Sequence, residues 1–174
     1  MNAPERTPNT ASDGQEVAAS GPELVELVHT VLQHETAFTF GVTGASMWPF
    51  LRDGDLVTVS PVRGKVHIGD VVAVVHPDAE VLLLHRVVGR TGDSYLIKGD
   101  ATAQPDGLAS TERILGRVTH IQRTGQEVRF GLGREGRWIA ACSRRRLLLL
   151  ILLAVWRPVD SMSSWIGRAR HSSG

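Results

Sequence analysis

A mainly β domain is the fold class this chain predicts: an antiparallel sheet curled into a partly open barrel, with an amphipathic helix before it and an apolar helix after it. Three observations carry the prediction. Between Phe38 and Phe130 short β-rich runs alternate with glycine-bearing turns, the spacing of a curled or barrel-like antiparallel sheet. Ahead of them apolar residues recur at helical intervals, and behind them stands an unbroken apolar run.

Taken in order, residues 1–21 are polar, rich in Ala, Ser, Asn and Pro, and lack the apolar stretch of a secretory signal; they read as a disordered leader. In residues 22–36, Leu24, Leu27, Val28, Val31 and Leu32 fall on one stripe of a helix of about three turns. Residues 37–130 form the β-rich unit, with strands predicted at Phe38–Val42, Leu56–Ser60, Val71–His76, Val81–Val88, Ser94–Lys98 and Ile114–Gln122. Gly-Asp occurs at 54–55, 69–70, 92–93 and 99–100, beside the ends of these runs. Glycine permits positive φ and aspartate bonds to nearby amides, so each pair suits a tight turn.

Residues 131–174 form a basic and apolar tail, with eight arginines between Arg134 and Gly174 against Glu135 and Asp160. Arg144-Arg145-Arg146 precedes ten uninterrupted apolar residues, Leu147 to Trp156. A helix of that length is roughly 15 Å long against a hydrocarbon core of about 30 Å, too short to span a bilayer. It suits an interfacial helix, with arginines at the headgroups and Trp138, Trp156 and Trp165 near the boundary. Membrane contact through residues 144–166, peripheral or interfacial, is therefore expected. Docking of that helix on protein, which leaves the chain soluble, is the other reading.

Composition excludes several classes. A net charge of +1 over 174 residues argues against nonspecific nucleic-acid binding. Cys142 is the sole cysteine and no HExxH pair occurs, so neither a disulfide within the chain nor a metal site is expected, and no cofactor is called for.

The chemistry lies in three boxes. Ser46 stands between Gly44 and Pro49, where the backbone must bend, presenting a hydroxyl and leaving amides free nearby. Gly44 supports that bend. His85 ends the apolar run Val81–Leu84, where an imidazole must find a polar partner; a histidine is suited to act as general base near neutral pH. Asp106 lies in the loop after Ser94–Lys98 and can orient the histidine by accepting its other N–H. Asp100 competes for that role and is expected instead to bind local backbone and shape the loop. A serine hydroxyl is a weak nucleophile without a base and an orienting group, and the chain supplies all three types in order, 39 and 21 residues apart.

The run Thr43-Gly44-Ala45-Ser46-Met47-Trp48-Pro49, followed by Leu51-Arg52-Asp53-Gly54-Asp55, resembles the Ser-Met-x-Pro and Gly-Asp box of the type I signal peptidase family, S24/S26-like serine peptidases. Gly69-Asp70-Val71-Val72 is similar to that family's next strand, Leu84-His85-Arg86-Val87-Val88-Gly89 to its general-base box, and Lys98-Gly99-Asp100 with Asp106 to its last box. His85 stands where most bacterial members carry lysine, which is the pattern of the archaeal, sporulation-type and endoplasmic-reticulum branch. The resemblance covers about Phe40 to Val118. It implies a sheet of the signal peptidase or LexA-like type, a Ser46–His85–Asp106 catalytic set, membrane attachment, and cleavage of exported precursor polypeptides after small residues, usually Ala-x-Ala. The chain departs from the pattern where the usual N-terminal anchor stands, and Ala101 and Thr102 replace the common asparagine.

Two other functions compete. One is a self-cleaving repressor of the LexA-like kind, which needs a lysine base, a DNA-binding module and an Ala-Gly or Cys-Gly cleavage site; the chain has His85 and neither dipeptide. The other is a non-catalytic binding module of the same fold.

Overall fold

The computed structural model describes residues 21–76, 79 and 81–145. Helix α1 spans Pro22–Gln33 and buries Val28 and Leu32, two residues of the predicted stripe. Pro22 suits the first helical turn, where a backbone N–H has no partner to lose. The helix stops at Gln33, short of the expected Thr36. Glu35 turns left-handed at φ 57°, and the N–H groups of Glu35 and Thr36 bond back to Leu32 and Val31 carbonyls, closing the last turn as a Schellman motif.

Eight strands follow: β1 (Phe38–Gly41), β2 (Leu56–Ser60), β3 (Val71–Val75), β4 (Leu82–Thr91), β5 (Ser94–Lys98), β6 (Gly107–Ser110), β7 (Ile114–Arg123) and β8 (Gln126–Glu127). They pair antiparallel in the order β1-β2-β7-β3-β4-β5-β6, with β8 on the far end of β7. The fold is thus a mainly antiparallel sheet, as expected, and it is not closed into a barrel: β1 and β6 stand at opposite ends of the order. Register shifts at Thr58/Val59 opposite β7, at Ala73/Val74 opposite β7 and at Val87/Gly89 opposite β5 each insert an extra residue. Such bulges bend and twist a sheet locally.

Strand β3 shows why the sequence Val-Val-Ala-Val-Val has no polar face. Val71 and Ala73 pack into one core with Val28, Leu32, Phe40, Met47 and Val57. Val72 and Val74 pack into a second core on the opposite face with Val87, Tyr95 and Ile97. Alternate strand residues point to opposite faces, so a strand covered on both sides must be apolar throughout.

Four differences from expectation concern element boundaries. β4 runs on to Thr91, because Gly92-Asp93 turns it directly into β5. β6 is Gly-Leu-Ala-Ser, a weak β sequence held as a strand by pairing with β5. β8, which the sequence does not predict, consists of Gln126–Glu127 alone. Part of the stretch read as a tail forms helix α2 (Gly136–Arg144), which packs on β4. The leader up to residue 20 and the apolar run Leu147–Trp156 lie outside the described residues. Among the described residues no helix is long and apolar enough to cross a membrane.

Candidate active site

Ser46 sits in the segment joining β1 to β2. Gly44 enters it at φ 98°, a conformation that favours glycine, and its N–H donates to Asp53 Oδ1 at 2.9 Å. Met47 drives its side chain into the main core at 3 % exposure, and the N–H groups of Phe50 and Leu51 bond to the Met47 carbonyl. The peptide between Trp48 and Pro49 is cis. Ser46 is thus exposed but stands on a residue anchored in the core. A further brace comes from Asp55, whose carboxylate accepts the Arg52 N–H and two bonds from Arg123 on β7. Burial pushes the Asp55 carboxyl up, but the Arg123 hydrogen bonds and the Arg52 amide outweigh it and leave it below the usual aspartate range.

His85 projects from β4 and is 4 % exposed. Its Nε2 lies 2.8 Å from Ser46 Oγ and its Nδ1 2.6 Å from Asp106 Oδ2. The two contacts are mutually consistent when Nδ1–H donates to the carboxylate and Nε2 accepts the serine O–H. Asp106 is placed just ahead of β6 by its own N–H, which donates to the Ile97 carbonyl at 2.9 Å. The fold therefore brings Ser46, His85 and Asp106 together from three separate segments.

Asp100 does not share that cluster. It is fully buried and accepts Nε and Nη2 of Arg86, also fully buried, at 2.7–3.0 Å. The expectation that Asp100 binds local backbone is corrected: its partner is a guanidinium from the neighbouring strand, whose charge a buried carboxylate meets better than amides do. Arg86 Nη1 also donates to the carbonyls of Gly69 and Gly131 at 2.8 Å, and the guanidinium lies 5.3 Å from the Phe50 ring centroid.

Sequence reasoning missed three contributors besides Arg86. Lys98, 2 % exposed, donates to the carbonyls of Gly99 and Thr102 and to Ser143 Oγ on α2. Ala101 N–H donates to the Ser46 carbonyl at 2.8 Å. At Gly99 a Cβ atom would lie 2.7 Å from the Ser46 carbonyl oxygen and 3.1 Å from His85 Nε2, so only glycine fits against the pair. A signal for Arg86 and Lys98 was present: charged residues inside otherwise apolar strands must be paired.

Beside the serine and the imidazole a cavity of about 130 Å³ is walled by Phe40, Val42, Met47, Leu82 and Leu84. A family model described as Peptidase S24-like matches residues 8–119, more than half of the chain and the whole of the Ser46–His85–Asp106 cluster.

The chain belongs to the Peptidase S24-like family.

That family indicates a serine-type peptidase. No curated protein gives a significant match to the chain. In this S24-like chain α2 and β8 lie beyond the matched residues.

Proposed function

We propose that the chain is a serine endopeptidase of the signal-peptidase type, cleaving a precursor or exported polypeptide after small residues. The hydrogen-bonded series Ser46 Oγ, His85 Nε2 and Nδ1, Asp106 Oδ2, at 2.8 and 2.6 Å, carries the proposal. Ser46 Oγ attacks the scissile carbonyl carbon while its proton passes to His85 Nε2. Asp106 holds the imidazolium so formed. The Ser46 N–H has no hydrogen-bond acceptor among the described residues and supplies a donor for the oxyanion, a contribution of about 3 kcal/mol in comparable sites. His85 then returns the proton to the leaving amine, and a water molecule releases the acyl group by the same route in reverse.

Substrate binding follows from two unpaired edges. Among the described residues β1 pairs only with β2. On β4 the pairing with β5 begins at Arg86, which leaves Leu82–Leu84 without a strand on that side among the described residues. An extended peptide laid against these edges gains main-chain hydrogen bonds and drops alternate side chains into the cavity beside Ser46. Contact with a membrane through residues 144–166 belongs to the same proposal; of that stretch Arg144 and Arg145 are described.

A self-cleaving repressor is the alternative within the same fold, but the position its lysine base would take is held by His85, bonded to Ser46. Incubating the purified chain with an Ala-x-Ala peptide and a serine-reactive fluorophosphonate tests the proposal. Cleavage and labelling should both vanish in Ser46→Ala; equal cleavage by that variant and the wild type overturns it.

A further inference from the structure

Helix α2 lies outside the residues shared with the family, 8–119, and its two faces serve different ends. The inner face is committed to the protein. Ile139 packs with Phe50, Ser143 accepts the Lys98 ammonium at 3.1 Å, and just ahead of the helix the Gly131 carbonyl accepts Arg86.

The outer face has no such explanation. Arg137, Trp138, Ala141 and Arg145 recur at helical spacing and all are exposed, whereas Arg144, at the border of the face, reaches back to Gly89 on β4. Trp138 is 79 % exposed, although the helix has already buried its apolar side. An outward indole among arginines is a combination enriched where proteins meet the membrane–water boundary. Arg134, also exposed, precedes the helix. The acid beside it, Glu135, turns inward to accept the N–H groups of Gly131 and Gly133. Beyond the helix the sequence continues with Arg146 and ten apolar residues to Trp156.

We propose that the outer face of α2 docks on the anionic surface of a lipid bilayer, with Trp138 at headgroup depth and Arg134, Arg137 and Arg145 against lipid phosphates. The inference rests on the membrane contact of the functional reading and extends it to a helix outside the apolar run. It assigns the lipid class by charge. Each basic residue close to an anionic leaflet raises partitioning about fivefold, and the gain fades within a Debye length. A polyanionic protein or nucleic acid would satisfy the arginines but leaves the indole and the adjoining apolar run without a role.

Co-sedimentation of the full chain with phosphatidylcholine vesicles, with and without phosphatidylglycerol, tests the proposal. The wild type should prefer the anionic vesicles and release from them as salt rises. Arg134→Ala with Arg137→Ala should weaken anionic partitioning about 25-fold, and Trp138→Ala should weaken it further. Arg113→Ala, at an exposed position in the turn between β6 and β7, should leave it unchanged. Equal binding by the double-alanine variant and the wild type would assign attachment to residues 147–156 alone and overturn the proposal. Indifference to lipid charge overturns it too, as does Trp138 already shielded from acrylamide without vesicles, judged against Trp138→Phe. Fluorophosphonate labelling of Ser46 in the same samples separates failure of docking from failure of the peptidase reading.

Discussion

Arg86 and Asp100 are both without solvent exposure, and the guanidinium of one meets the carboxylate of the other through Nε and Nη2. Each is next in sequence to a residue at the Ser46–His85–Asp106 cluster: Arg86 follows His85, and Asp100 follows Gly99. The pair is therefore a joint between β4 and the loop after β5, beside the Ser46–His85–Asp106 cluster but not bonded to its side chains.

Separating the two aspartates experimentally follows from that placement. Asp106→Asn should lower kcat by about 10⁴-fold by favouring the wrong imidazole tautomer, with little change in the urea midpoint. Asp100→Asn should instead destabilise the fold by about 3–5 kcal/mol, because it leaves the Arg86 charge buried without its partner. Activity assays and urea titrations of both variants check this. The reverse pattern would assign the orienting role to Asp100.

Gly99→Ala should act on activity more than on stability. The new methyl group would stand 2.7 Å from the Ser46 carbonyl oxygen and 3.1 Å from His85 Nε2, so serine and imidazole must move apart. A displacement of about 1 Å in a catalytic pair can cost on the order of 10²-fold in rate. The rate of fluorophosphonate labelling reads this directly, and a rate equal to wild type would show that the loop yields instead.

Acid sensitivity should come in part from Asp55. Its folded carboxyl lies below the ordinary aspartate value despite the opposing effect of burial, through Arg123 and the Arg52 amide. A depressed folded value means that the stabilisation is complete above the unfolded value of about 3.9 and is lost as pH falls through the lower folded value. The stability difference between wild type and Asp55→Asn, followed by urea midpoint, should be constant near neutrality and shrink below about pH 4. Because Asp55 braces the Ser46 segment against β7, activity of Asp55→Asn should also fall.

Lys98 should matter through position. Lys98→Met removes the ammonium that ties the Gly99 and Thr102 carbonyls to Ser143; the Gly99 carbonyl keeps the Thr102 N–H and Oγ1 as donors, while the Thr102 carbonyl loses its donor at a cost of about 1–3 kcal/mol. The expected kinetic signature is a fall in kcat with KM little changed, as the Ser46 carbonyl loses its fixed contact with Ala101. Ser143→Ala, which removes one acceptor and keeps the ammonium, should show a smaller effect of the same kind.

Much of this was readable in residue types. Ser46, His85 and Asp106 were nominated from the need of a hydroxyl for a base and of a base for an orienting group, and the fold places them within hydrogen-bonding distance. Strands such as Leu56–Ser60 and Ser94–Lys98 are legible because runs with β-branched or aromatic residues start directly after the Gly-Asp turns at 54–55 and 92–93. β6 was not, since Gly-Leu-Ala-Ser becomes a strand only when β5 offers it a ladder. Helix α2 was hidden for a related reason. Its short arginine-rich stretch has a buried side set by contact with Phe50 and Lys98, partners remote in sequence. The Arg86–Asp100 joint likewise depends on pairing of β4 with β5, which places Arg86 opposite Lys98.

His85 and Arg86 are consecutive on β4, and consecutive strand residues face opposite ways. One therefore serves the serine while the other serves the buried frame, and slippage by a single residue would exchange them. Variation in length among related chains should accordingly be barred from the stretch between Leu82 and Val87, where β3 holds the register. It should be tolerated at Gly92-Asp93, beyond the bulge at Val88, where an added residue leaves the imidazole and the guanidinium in place.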